Sequence, residues 1–259
     1  MQNLTQKRIF VILKAINKIS NWTVIPKVYF KKYKDKNFVI KMKNGIKIKL
    51  RTNSTDLQAF ANVWLLEEYR KNGFEIKNND VIIDIGAHIG LFTTYVSQYC
   101  KRGRIFAYEP IKENFELLNE NIRINNLMNV NSKNNAVSDK NGIRKIFLSD
   151  DESGHSFYAN GDKYVEVNTL TLNEIIEHNG IQKCNFLKLD CEGAEFEILE
   201  GLNEQHYNKI EKICLEYHLD RDDFGKLIEL KSKLKKMHFF ISDIPSTPEM
   251  GILFAKKSN

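Results

Sequence analysis

Two acidic runs and one strand-end pair carry most of the chemistry available to this sequence. Asp84-Ile85-Gly86-Ala87-His88-Ile89-Gly90 follows the apolar run Val81-Ile82-Ile83. Its glycines permit a tight turn and close approach of a ligand to the backbone. The pattern is not the Gly-x-Gly-x-x-Gly of dinucleotide sites, because Asp84 takes the first glycine position. A carboxylate there repels a pyrophosphate and attracts the ammonium of an amino-acid-like ligand, directly or through water. The departure points away from a dinucleotide and toward S-adenosylmethionine (SAM). Glu109 lies 19 residues beyond Gly90. An acid ending the second strand at about that distance accepts hydrogen bonds from ribose hydroxyls, and both are free in SAM. The cofactor-binding candidates are therefore Asp84, Gly86, Ala87, His88, Gly90 and Glu109, with Asn135 and Ala136 bordering the adenine at the next strand end.

The second acidic run is Leu187-Lys188-Leu189-Asp190-Cys191-Glu192, at the end of a buried strand and just before a helix. A carboxylate at Asp190 or Glu192 could orient a substrate hydroxyl, hold a divalent cation or stabilise a sulfonium. Asp190 thus belongs to both the cofactor and the catalytic sets. The next strand ends Glu216-Tyr217-His218. A histidine titrating near neutrality is a natural general base for a hydroxyl, although a lone histidine is as readily structural. Asp190, Glu216 and His218 form the catalytic candidates. The same three, with Glu192, could make an oxygen-rich cation site, so a divalent cation stays open without being expected.

The elements that must position these residues are legible in outline. From residue 57 onward, apolar runs alternate with helical patterns. Strands are expected at 81–84, 104–109, 129–137, 185–190, 210–217, 238–243 and 251–256. Helices are expected at 91–100, 112–126, 171–179, 194–200 and 223–236, with Asp56 capping an earlier one and Thr171 with Glu174 forming a capping box. Repeated β-α units imply an α/β fold, a mostly parallel, doubly wound sheet with helices on both faces. Ligands bind such sheets at the carboxyl ends of the strands, where Asp84, Glu109, Asp190 and Glu216 all fall. The polar stretch 138–162 reads as a hairpin or flexible loop. Ahead of this body, residues 6–19 read as a basic amphipathic helix. Two alternating runs around Asn44-Gly45 read as a hairpin.

Charge divides the chain in the same place. Of the 39 Lys and Arg, 13 fall in residues 1–50 against one acid, Asp35; the remaining 26 face 32 acids. The N-terminal 50 residues are net +12 and the rest net −6, giving +6 for the chain. A uniformly basic nucleic-acid binder is disfavoured. The division suggests an extension over residues 1–50 and a catalytic domain over 51–259. No apolar run reaches the ~18 residues of a membrane span, and none near the N-terminus matches a signal-peptide core. The four cysteines show no Cys-x-x-Cys pairing, which favours free thiols and a cytoplasmic location. The amphipathic helix adds the alternatives of peripheral contact with the inner membrane face through residues 1–20, or of a partner subunit in a homo-oligomer.

Taken together, these segments resemble the FkbM family of SAM-dependent methyltransferases. The resemblance rests on Thr55-Asp56, Phe60, Glu68-Tyr69, the run Asp84 to Thr93, Glu109-Pro110, Asn114-Phe115, Asn121, Ala136 to Asp139 and Ser153 to Ser156. It continues through Thr169 to Leu172, Phe186 to Glu195, Glu200-Gly201 and Glu216 to His218. It covers about residues 50–243. His88 stands where asparagine is common and Cys191 where valine is common, which leaves His88 in the cofactor set but outside the catalytic one. The resemblance implies a Rossmann-like, seven-stranded class I methyltransferase sheet with a reversed last strand. It also implies O-methylation of a carbohydrate, a surface-glycan precursor in polysaccharide biosynthesis, or a related small metabolite. Acceptor pockets in such a fold are built from loops, here 51–70, 150–162 and 219–224. Tyr69 and His155 in these loops, with Glu192 after the fourth strand, are the candidate substrate contacts. An RNA methyltransferase and, more distantly, an NAD-dependent or nucleotide-sugar oxidoreductase are the competing readings.

Overall fold

The computed structural model describes residues 4–147, 163–191, 193–219 and 224–258, with side chains from Ile9 onward. Two short helices, α1 (Leu4–Lys18) and α2 (Val24–Tyr29), precede a hairpin of β1 (Asn37–Lys41) and β2 (Lys47–Arg51). Gly45 turns the hairpin at φ +92°, and Asn44 Oδ1 accepts from the Ile46 amide at 3.2 Å. The register sets Phe38 opposite Leu50 and Ile40 opposite Ile48. All four are buried, while Lys41 and Lys47 face solvent, as the alternation requires. Next come α3 (Asp56–Phe60) and a π-helical segment (Ala61–Leu66).

The body then alternates strand and helix: β3 (Val81–Ile85), α4 (Leu91–Ser97), β4 (Arg104–Tyr108), α5 (Lys112–Ile124), β5 (Val130–Lys133) and the short β6 (Ala136–Ser138). There follow β7 (Gly142–Phe147), β8 (Tyr164–Thr171), α6 (Leu172–His178), β9 (Phe186–Leu189), α7 (Glu195–Glu200), α8 (Glu204–Tyr207) and β10 (Lys212–His218). The described chain closes with α9 (Phe224–Lys236), β11 (Phe239–Pro245) and β12 (Met250–Lys257). Seven strands make one sheet in the order β11-β12-β10-β9-β3-β4-β5. The five from β5 to β10 are parallel, and β12 runs antiparallel to both β10 and β11. The expected α/β sheet with its reversed last strand is what forms.

Three local expectations are corrected. The strand expected over 129–137 divides: β5 stays in the main sheet, while β6 joins β8 and β7 in a separate three-stranded sheet. Asn134, at the break, donates its side-chain amide to the carbonyls of Glu109 and Pro110 at 2.9 Å each. Asp56 does not cap α3. Thr55 takes that position, and the Asp56 carboxylate turns back to the Arg51 amide and guanidinium at 2.8–3.0 Å. Thr171 does cap α6, its hydroxyl accepting from the Glu174 amide at 3.2 Å. The reciprocal half of the box is replaced by Asn141 Oδ1, which accepts from the Thr171 amide.

The sheet separates two apolar clusters, and the period-two rule decides what each receives. Ile83, Leu187, Leu189, Ile213 and Leu215 pack with α6, α7 and α9. Ile82, Phe186 and Cys214 point the other way, into a cluster shared with the hairpin, Ile19, Trp64 and Phe92. On that second face the same parity carries Asp84, Lys188, Asp190, Glu216 and His218 toward the carboxyl ends of the strands.

Candidate active site

A cavity of about 480 Å³ opens at those strand ends, within the usual range for small-molecule sites. Its wall includes Tyr69, Gly86, Ala87, His88, Glu109, Asn135, Ala136, Asp190, Glu216 and His218. Ten sequence candidates thus converge on one volume. Glu192 and His155 lie outside the described residues.

Asp84 and Gly90 have other work. Asp84 is fully buried beneath the cavity. Its Oδ2 accepts from the Thr93 hydroxyl at 2.6 Å, and its Oδ1 lies 3.2 Å from the Lys188 ammonium. The ammonium lying against Asp84 in the fold is that of Lys188. The two residues are register partners on β3 and β9. A lysine buried in a sheet core requires such partners; Asp190 Oδ2 at 3.4 Å and the carbonyl of Gly86 at 3.0 Å complete its shell. Burial opposes the charge on Lys188, but Asp84 and Asp190 outweigh it and raise its pKa above an ordinary lysine's. Gly90, at φ +84°, is a packing residue: a Cβ there would sit 2.5 Å from Leu118 Cδ1. Gly86 is more demanding, since its Cβ would fall 1.7 Å from the Asp190 carbonyl oxygen. That close approach brings the β3 and β9 loops together.

At one end of the cavity the carboxylate of Glu109 is 4% exposed. Its Oε2 accepts from the His88 amide at 2.8 Å and its Oε1 from the Ile111 amide at 2.9 Å. Burial still pushes its pKa up to about 7. Oε1 also accepts from Asn114 Nδ2 at 3.4 Å, so of the about four bonds a carboxylate can accept, the open position is on Oε2. Asn114, at the start of α5, also lines the cavity and is buried, and its Oδ1 has no hydrogen-bond partner. A buried amide oxygen in that state fits a donor supplied by a ligand. Glu109 with Asn114 therefore suits a ribose and its base.

His88 is held by the hairpin. Its Nε2 lies 3.1 Å from an Arg51 Nη, and the same guanidinium forks onto Asp56. His88 has φ +51°, a conformation costly for most side chains and easier for asparagine. Burial, with the Arg51 charge, overrides the pull of Asp56 and depresses its pKa to about 4. The imidazole is neutral at pH 7 and accepts from Arg51, so its proton resides on Nδ1.

At the other end Tyr69 stands between two acids. Its hydroxyl lies 3.0 Å from Asp190 Oδ2 and 3.0 Å from Glu216 Oε2. Its ring is fixed edge-on to Phe92 at 5.3 Å. Burial and both carboxylates raise its pKa well above 10, so it remains a donor. Burial and the Asp190 charge push Glu216 up to about 7. His218 Nε2 lies 4.0 Å from Glu216 Oε1, and burial depresses its pKa against the pull of Asp190. Among the described residues no group of three or more acids, histidines and cysteines is arranged to hold a metal. The space between Asp190 and Glu216 is spanned by the Tyr69 hydroxyl, with Lys188 alongside. Glu195 fixes the loop between β9 and α7, accepting from the amides of Cys191 at 2.7 Å and Gly193 at 2.9 Å.

Lys188, Asn114, Arg51 and Glu195 are the residues that sequence reasoning gave no role. Lys188 carried a signal: it stands between Leu187 and Leu189 in a strand too apolar to leave an ammonium unpaired.

This arrangement is that of a SAM-dependent class I methyltransferase, and comparison with known proteins agrees. Residues 84–244 match the methyltransferase FkbM domain, and the chain belongs to that family. It is 24% identical to methyltransferase 1 of Beauveria bassiana, over 70% of this chain and 82% of the relative. It is 23% identical to the 31-O-demethyl-FK506 methyltransferase FkbM of Streptomyces tacrolimicus, over 62% of this chain and 74% of that protein. Hexuronic acid methyltransferase AglP of Haloferax volcanii is 24% identical, over 63% and 69%. Among solved structures, methyltransferase FkbM from Methylobacillus flagellatus superposes with a TM-score of 0.53 at 17% identity. That match covers 77% of this chain, which spans about half of the larger protein (53%). The oxidoreductase reading is set aside.

Proposed function

We propose that the enzyme methylates a hydroxyl oxygen of a carbohydrate, a surface-glycan precursor or a related small metabolite. SAM, when bound, supplies an electrophilic methyl on a sulfonium. A hydroxyl is a poor nucleophile until a base receives its proton, and the acceptor end of this cavity is built from proton acceptors. The observation that carries the reading is the Tyr69 hydroxyl placed 3.0 Å from both Asp190 and Glu216, with His218 beside them.

Each group has a separable task. Glu109 and Asn114 hold the cofactor, and Gly86 and Ala87 let it approach the backbone. Lys188 fixes Asp190, and Tyr69 restrains Asp190 and Glu216. Burial holds the His218 pKa below the ordinary value, which favours the neutral imidazole that can take the proton. Alignment of the acceptor oxygen and exclusion of water supply most of the remaining rate. The names of two relatives, one a hexuronic acid methyltransferase and one acting on 31-O-demethyl-FK506, favour an oxygen acceptor of this kind.

The test is transfer of labelled methyl from SAM to a panel of sugar nucleotides, oligosaccharides and RNA, followed by linkage analysis. The proposal expects an ether-linked methyl on a carbohydrate or small-molecule hydroxyl. Label on RNA alone, or on nitrogen, contradicts it.

A further inference from the structure

The N-terminal helices present large apolar groups that the fold leaves uncovered. On α1, Ile9, Phe10, Ile12 and Leu13 are each at least half exposed, whereas Ala15 and Ile19 further along are buried in the shared core. On and after α2, Tyr29 is 70% and Phe30 65% exposed, their rings edge to face at 5.3 Å; Trp22 is also exposed. Lys27, Lys31, Lys32 and Lys34 are exposed in the same stretch. Monomeric proteins seldom concentrate so many exposed aromatic and aliphatic side chains in one segment.

We propose that α1 and α2 form a docking surface for an anionic phospholipid bilayer. The aliphatic chains of α1 and the rings of α2 enter the boundary between headgroups and acyl chains, and the lysines meet the lipid phosphates. No described helix is long and apolar enough to cross a membrane, so the mode is lying on the surface. Charge complementarity selects this occupant. The first 50 residues hold 13 basic residues against one acid. A two-fold dimer through this patch would set that charge against itself. A nucleic acid would satisfy the lysines but leave Ile9, Ile12 and Leu13 in water. An anionic bilayer offers hydrocarbon and negative charge together.

The surface is tied to the active site. Lys18, the last residue of α1, donates to the Trp64 carbonyl at 3.0 Å and pairs with Glu67 at 2.7 Å. These close the π-helical segment, whose Asn62 and Val63 line the cavity. A bilayer holding α1 thereby holds one wall of the catalytic cavity at a fixed distance from the membrane.

The test is flotation of the full chain with vesicles of phosphatidylcholine alone, or with phosphatidylserine as a minor component. The expected result is partition onto the anionic vesicles, falling on the order of tenfold as salt is raised to shorten the screening length. Phe10→Gln, Leu13→Gln and Phe30→Gln together should reduce that partition at least about tenfold, with SAM affinity unchanged, since all three side chains are exposed. Lys27→Glu with Lys32→Glu should abolish the preference for anionic over neutral vesicles. Absence of binding by the wild-type chain at low salt overturns the proposal. So does unchanged binding by both variants, or a dimer dispersed by the glutamine variant while vesicle binding persists. Retention of RNA in place of vesicles also overturns it.

Discussion

The Lys188 ammonium lies 3.2 Å from Asp84 Oδ1 with both side chains almost wholly removed from solvent, directly across the β3–β9 pair. That pairing changes what Asp84 does. The aspartate is a buried counter-ion beneath the cavity, joined to the cavity wall through Lys188 and the Gly86 carbonyl.

Lys188→Met should therefore be a stability variant first. It leaves Asp84 and Asp190 facing each other without a cation, and breaking one side of a buried pair costs about 3–5 kcal/mol. Urea denaturation measures it. Asp84→Asn should lie in the same range and should also weaken SAM binding, because Asp190 is then the one carboxylate left against Lys188.

Glu109→Gln should act on the cofactor. The amide keeps one acceptor oxygen and turns an NH₂ toward either the His88 or the Ile111 amide. Losing one charged hydrogen bond at about 1.5–3 kcal/mol predicts SAM binding weaker by about 10- to 100-fold, read by calorimetric titration. Asn114→Ala should give a smaller loss in the same titration without unfolding the chain.

Arg51→Ala tests whether the basic hairpin belongs to the working site. It removes the 3.1 Å contact to His88 Nε2 and the fork onto Asp56. The expected outcome is an increase in the SAM dissociation constant on the order of tenfold, the size of one hydrogen bond to a charged donor. Unchanged affinity would leave the hairpin a packing element only.

Glu195 predicts a pH dependence of stability. Burial raises its folded pKa to about 7 from an ordinary 4.5, so the fold favours its neutral form. Its contribution is complete below pH 4.5 and is lost as pH rises through 7. Between pH 5.5 and 8 the loss is about 2 kcal/mol, at about 1.4 kcal/mol per unit. His88, depressed to about 4, works in the opposite direction below pH 6.5. Comparison of wild type with Glu195→Gln by urea denaturation at the two pH values isolates the glutamate.

The parts of this molecule that obey a period were legible in its sequence. Alternation in Ile82/Asp84, Phe186/Lys188/Asp190 and Cys214/Glu216/His218 assigns all three strands' charged residues to one face, and the parallel sheet gathers their ends. Glycine spacing around residue 86 marked the loop after β3, whose Gly86, Ala87 and His88 line the cavity. What sequence did not show depends on register between strands. Asp84 meets Lys188 because β3 and β9 are neighbours in the sheet, although the two lie 104 positions apart in the chain. The contacts of Asn114 and Arg51 were hidden for the same reason, although Asn114 was among the residues carrying the family resemblance: they are set by the segments these residues fold against. The uncovered apolar face of α1 was visible as a pattern, but Tyr29 and Phe30 join it only once α2 is seen to leave them exposed.

In the proposed reaction His218, at the end of β10, receives the acceptor's hydroxyl proton beside the Tyr69–Asp190–Glu216 cluster. The most direct measurement is the methyl-transfer rate of His218→Ala against wild type at saturating SAM, with SAM affinity determined on the same samples. The expected rate is lower by about 10²–10⁴-fold, with affinity within about twofold. A variant that turns over at the wild-type rate would contradict it and move the proton to Asp190.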